Sequence, residues 1–282
     1  MRRRWTHDEL LVAINLYTKL SFGQFHKETP LIKQVAFGLE RTPSAIAMKL
    51  CNLSSLDPVH LKRNVAGLAN ASKQDREIWE AFSSDPGAIG LASEVRFREI
   101  VPDNVVEDLP DEPQFDQLDP DGANSAGRRT ESQTLVMARR GQEFFRRAIL
   151  TSYSGRCCIT GVSTEEFLVA SHIKPWSSFP ENRLDPENGL CLSLLHDRAF
   201  DQGMTTFDDQ YRLVISQDLK NQLRDSSIEG HFLGHEGAPI CLPEKLALPS
   251  QEHLAFHRQV IFDRRNRMQH AHFSVASDRA NS

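Results

Sequence analysis

Several things are scarce in this chain of 282 residues. It has three tryptophans, three tyrosines and five cysteines. The cysteine count is odd and no C-x-x-C pair occurs, which argues against a disulfide framework. Vicinal Cys157 and Cys158 cannot readily clamp one zinc ion, so a structural zinc knuckle is not expected. There is no long apolar run to cross a bilayer and no signal-peptide pattern. A cytoplasmic protein with reduced, mostly buried thiols and no membrane contact is expected. An excess of positive charge is also missing, since the formal net charge is -5.

That negative balance is not evenly spread. Residues 101–121 hold eight acidic side chains and no Lys or Arg, so the rest of the chain sums to +3. Residues 1–76 carry twelve Lys or Arg against six Asp or Glu, a balance of +6. Residues 128–150 carry six Arg against two Glu, a balance of +4. Two basic blocks flanking an acidic tether suit contact with a phosphate backbone.

Periodicity predicts helices in the first block. Residues 7–20 put Leu10, Leu11, Ile14, Tyr17 and Leu20 on one face, with Thr6 as N-cap and Glu9 completing a capping box. A second segment spans 30–39. A third follows Thr42-Pro43, with Thr42 as cap, Pro43 in the first turn and an apolar face of Ile46, Met48, Leu50 and Leu53. Three short helices with a tight turn before the last describe a helix-turn-helix or Myb-like unit, whose third helix would present Arg41, Ser44 and Lys49 to the major groove. Residues 60–82 add a further helix. Residues 83–130 turn to Pro, Asp, Glu, Gly and Ser and read as a linker with one short ordered piece near 95–101. An amphipathic helix follows over 131–152, with Leu135, Phe144, Ala148 and Ile149 as its stripe and paired arginines opposite. A hairpin is expected around Asp208-Asp209, and a basic helix over 251–268 carries Arg258, Arg264, Arg265 and Arg267.

Ser171 to Gly203 holds the candidate chemistry. His172 ends the apolar strand F-L-V-A-S-H-I, and Lys174-Pro175-Trp176 turns the chain sharply away. Asn188-Gly189 delivers an amide to the start of the next apolar run. Asp197 and Asp201 are four apart, which on a helix places both carboxylates on one face, within reach of one hard cation. His196 is an alternative imidazole ligand. Gly203 suits the left-handed end of that helix. A base, a brace and helix-borne ligands in this order suit a one-metal site for cutting a phosphodiester.

Residues 139–207 resemble the HNH endonuclease family, the ββα-metal nucleases. The resemblance rests on Arg139, Gly141, Gln142, Phe145, Arg146, Cys158, Thr160 and Gly161, then His172, Asn188 and His196 as the H, N and H. It implies an α+β architecture: an N-terminal helical domain (1–82), an acidic Pro-rich linker (83–130), a ββα-metal nuclease domain with flanking helices (131–270) and a frayed tail (271–282). It implies His172 as general base, Asn188 orienting His172 or binding the metal, and Asp197, Asp201 or His196 as ligands. The ion implied is Mg²⁺ or Mn²⁺, with Zn²⁺ or Ni²⁺ as alternatives. Lys174, Arg183 and Arg198 would neutralise phosphates. Ser171 departs from the family, where a better ligand often precedes the base. The partner implied is double-stranded DNA, cut by a homodimer in restriction-like defence against foreign DNA. A non-catalytic DNA-binding regulator and an effector-triggered or RNA-cleaving nuclease are the competing functions.

Overall fold

The computed structural model describes residues 3–63, 71–101, 128–223 and 226–263, with the side chains of 128–135 and 226–228 left aside. Most of the acidic run, Arg264, Arg265, Arg267, the Leu135 side chain and the tail 271–282 lie outside what is described. Two compact units emerge. The first comprises Met1–Ser152, Arg183–Pro186 and Glu244–Leu246; the second comprises Tyr153–Asn182, Glu187–Pro243 and Ala247–Ser282.

Helix α1 (His7–Lys19) is the axis of the first unit. Thr6 Oγ1 accepts from Glu9 N while Glu9 returns a bond to Thr6 N, the capping box read from the sequence. Its apolar residues do not form one stripe, because every residue from Glu9 to Thr18 is buried. Helices α3 (Pro43–Ser54), α5 (Lys73–Ser84) and α6 (Pro86–Ile100) pack against it, α2 (Pro30–Gly38) packs on α3, and the short α4 is Pro58–Lys62. In α3, Thr42 caps by accepting from Ala45 N and Pro43 opens the helix. Met48, placed by periodicity on the apolar face, is half-exposed.

The sequence reading places residues 86–100 in the linker, yet they form α6, capped by Asp85 and opened by Pro86. Alongside Phe97, which joins the core, α6 buries a charge. Glu94 is fully buried, accepts from Asn15 Nδ2 at 2.9 Å and Lys19 Nζ at 2.7 Å, and takes a further bond from Arg98 at 3.0 Å. Burial of Lys19 pushes its ammonium down to about 8, although Glu94 pulls it back upward. Gly90 lets α6 approach closely, since a Cβ there would stand 2.3 Å from Phe144. Phe144 lies on α7 (Arg128–Ser152), so this helix completes the first unit's core with Ala148. Arg146, assigned to the polar side of α7, is buried.

A late segment completes α1. Lys245 is buried and donates Nζ to the carbonyls of Thr18 and Leu20 at 3.2 and 2.8 Å and to that of Tyr17. These are orphan acceptors at a helix C-terminus, where positive charge is favoured. Leu246 N donates to Asp57 Oδ2 at 2.7 Å, and Tyr17 Oη donates to the same carboxylate at 2.6 Å.

The second unit carries two small antiparallel sheets. Strand β1 (Leu168–His172) pairs with β2 (Gly189–Ser193), His172 opposite Gly189. Helix α8 (Leu194–Asp201) follows β2 directly. Strands β3 (Thr205–Phe207) and β4 (Leu213–Ile215) form the hairpin expected around Asp208-Asp209. Short helices α9 (Gln217–Gln222) and α10 (Ser226–Phe232) come next, then α11 (Gln251–Phe256), which continues as a π-helical stretch to Phe262. Gly203 has φ +63°, and a Cβ there would lie 2.8 Å from the Ile261 carbonyl, so both backbone sign and space call for glycine.

Candidate active site

The β1–β2–α8 unit positions the residues of interest. Neighbours along a strand point to opposite faces. His172, at the end of β1, is half-buried, whereas Ser171 before it is buried, with a hydroxyl that makes no hydrogen bond among the described residues. Ser171 thus turns away from the side that His172 occupies.

Asn188 is buried at the entrance to β2, and its carboxamide is fully occupied. Oδ1 accepts from Lys174 N at 2.8 Å; Nδ2 donates to Lys174 O and Asn182 O, each at 3.1 Å. Its own carbonyl accepts from Ile173 N at 2.9 Å. Asn188 therefore braces the loop leaving His172, and its side-chain oxygen is already committed to a backbone donor.

Asp197 is half-buried and Asp201 exposed, one turn apart on α8. Among the described residues, no three His, Cys, Asp or Glu side chains gather closely enough to hold a metal ion. A closed cage of protein ligands is not built here. The donor chemistry of the two aspartates fits a hard cation such as Mg²⁺, which keeps several waters and takes one or two carboxylates plus substrate phosphate.

A family model described as HNH endonuclease matches residues 157–208, the stretch that contains β1, β2 and α8. The chain carries an HNH endonuclease domain. No curated protein matches the chain. HNH nucleases generally use a divalent metal.

Within the HNH domain, His196 sits in a hydrogen-bonded, buried setting. It is buried, with Nδ1 2.7 Å from Ser193 Oγ and Nε2 2.9 Å from the His231 carbonyl. A carbonyl only accepts, so Nε2 donates to it and neutral Nδ1 accepts from Ser193. Burial pushes the imidazole below its ordinary range. Both ring nitrogens are thus hydrogen-bonded within the protein. The S-x-x-H spacing of Ser193 and His196, where a helix begins, was the available sequence signal.

His257 was not singled out from the sequence and is bound in the same way. Its Nε2 donates to the Phe200 carbonyl at 3.0 Å and Nδ1 accepts from Thr206 Oγ1 at 2.9 Å, while the ring stacks on Phe200 at 3.7 Å. Burial lowers its pKa to about 4.

The candidate phosphate contacts divide. Arg198 is exposed on α8. The Lys174 side chain is only 12 % exposed; its Nζ lies 3.2 Å from Glu252 and above the rings of Phe179 and Phe256. Arg183 is half-buried and belongs to the first unit.

In the first unit, two of the three residues expected at the groove, Arg41 and Lys49, make ion pairs within the protein. Arg41 gives Nε and Nη2 to Glu9 at 2.8 Å, adds the Arg4 carbonyl at 2.8 Å and stacks 4.0 Å over Trp5. Burial pushes the Glu9 carboxyl upward, but bonds from Arg41 and Thr6 N and the charges of Arg41 and Arg3 prevail and bring it to about 2. Lys49 is buried, paired with buried Asp75, and lies 4.6 Å over Trp5 from its own side. Only Ser44 is exposed on α3 as expected. Periodicity cannot tell a surface cation from one that closes a salt bridge inside a small helical unit.

Proposed function

We propose that this protein hydrolyses phosphodiester bonds in double-stranded DNA, with His172 as general base. The observation that carries the reading is the β1–β2–α8 unit of the matched HNH domain, with a half-buried His172 at the strand end and Asn188 clamping the loop behind it. His172 would take a proton from the attacking water. Asp197 and Asp201 would hold Mg²⁺ or Mn²⁺, which supplies charge stabilisation for the scissile phosphate when bound. Exposed Arg198 would meet a neighbouring phosphate. Cutting both strands calls for two sites, which a homodimer supplies. Restriction-like defence is the biological role this reading favours, and a cytoplasmic location accords with it. No helix among the described residues is long and apolar enough to cross a membrane.

The test is cleavage of methylated and unmethylated plasmid with Mg²⁺ or Mn²⁺, with single-stranded RNA in parallel. Duplex DNA should be cut, and His172→Ala should lose at least about 100-fold in rate while keeping its circular dichroism spectrum. A folded His172→Ala protein that cuts as well as its parent refutes the base. A wild type that leaves DNA intact but cuts RNA redirects the substrate.

A further inference from the structure

The loop after His172 is built to return on itself. Lys174 is held on both sides of its backbone, its N–H and its carbonyl bonded to the Asn188 carboxamide. Pro175 fixes the next φ. The Pro175 carbonyl then accepts from Ser178 N and Phe179 N, both at 3.2 Å, closing a turn. The outcome is that Trp176, four residues past His172, comes back over it. The two ring centroids are 5.3 Å apart and the planes meet at 74°. Trp176 is only half-buried, so it is not simply a core residue.

We propose that Trp176 is a positioning residue that sets the orientation of the His172 imidazole. This inference rests on the nuclease reading for its catalytic consequence. An edge-to-face aromatic pair has a preferred geometry, and an indole is a large, stiff wall with two side-chain torsions. The second torsion of a histidine is in general broad and roughly two-fold. An indole wall beside the ring narrows that range before substrate arrives. It also gives the Asn188 clamp a route to the imidazole: the amide fixes Lys174, Lys174 fixes the turn, and the turn fixes Trp176. A general base must lie within hydrogen-bond reach of the proton that it takes, so a swivelling ring costs rate rather than affinity.

The experiment compares wild type with Trp176→Phe, Trp176→Leu and Asn188→Ala in the full-length protein, using two readouts. Histidine ring resonances are recorded on protein labelled with ¹³C-histidine, with His172→Gln identifying the His172 signal. Plasmid cleavage is followed over a range of DNA concentrations with Mn²⁺. The His172 signal should move in Trp176→Leu and in Asn188→Ala, and stay near its wild-type position in Trp176→Phe. The kcat should fall about 10- to 100-fold in Trp176→Leu with KM within about twofold, and Trp176→Phe should recover most of it. A Trp176→Leu protein whose His172 resonance is unmoved overturns the proposal, as does one with a moved resonance and unchanged kcat. A rise in KM alone would make Trp176 a DNA contact and overturns it too. Should the wild type itself cut nothing, the nuclease reading falls, while the resonance comparison still decides whether Trp176 holds the ring.

Discussion

Acidification should weaken the second unit in a defined window because of His257. Its imidazole is buried, accepts at Nδ1 from Thr206, and is stacked 3.7 Å from Phe200. Burial lowers its folded pKa from 6.5 to about 4. The unfolded chain therefore takes up a proton before the folded one does. Stability is fully present above pH 6.5, falls as pH drops from 6.5 to 4, and changes no further through this group below 4. A shift of about 2.5 units at 1.36 kcal/mol each corresponds to roughly 3 kcal/mol lost across that window. His196, also lowered by burial, acts in the same direction. Glu9, brought to about 2, adds its own loss only below its ordinary 4.5, so the windows separate. The assay is urea unfolding from pH 7.5 to 4.5, beside His257→Gln. That variant should be less stable at pH 7.5 yet should lose about 3 kcal/mol less on acidification. Titration of His257 by NMR near 6.5 in the folded protein, or equal acid slopes for the two proteins, would refute the reasoning.

Two further outcomes concern residues that the structure buries in polar contacts, Lys49 and His196. Lys49→Met leaves buried Asp75 unpaired and should cost about 3–5 kcal/mol in thermal unfolding. The salt dependence of DNA affinity for the folded fraction should not change, and a slope lower by about one would place Lys49 on a phosphate after all. His196→Ala removes two buried hydrogen bonds and a ring packed on Phe232, and should cost about 2–4 kcal/mol. Its Mn²⁺ affinity by calorimetry should stay within about twofold of wild type, and a tenfold loss at unchanged stability would restore it as a ligand.

Local signals were the legible ones. Thr6 with Glu9 and Thr42 with Pro43 each mark a helix start that needs only neighbours a few residues away, and both caps form. The strand ending at His172 and the left-handed Gly203 are local in the same sense, and both are present. What escaped the sequence depends on distant partners. Residues 86–100 read as linker from their Pro, Gly and Glu content, and the cations that let Glu94 be buried include Lys19, 75 positions earlier, and Arg98. Arg41 looks free until Glu9, 32 positions earlier, claims it. The acceptor for His196 Nε2 is a backbone carbonyl on α10, which no side-chain pattern records. The pairing of Trp176 with His172 was not legible because the turn that returns it is set by an amide twelve residues further on.

The ammonium of Lys245 on the last carbonyls of α1 ties the order of synthesis to the order of folding. More than two hundred residues leave the ribosome between those carbonyls and the cation that satisfies them. Until then the α1 end, and the Asp57 carboxylate that also awaits the Leu246 amide, must be served by water. A nascent or truncated chain that stops before that strap would hold a helical unit with an open seam, so the first unit becomes whole only after the matched HNH stretch has been synthesised.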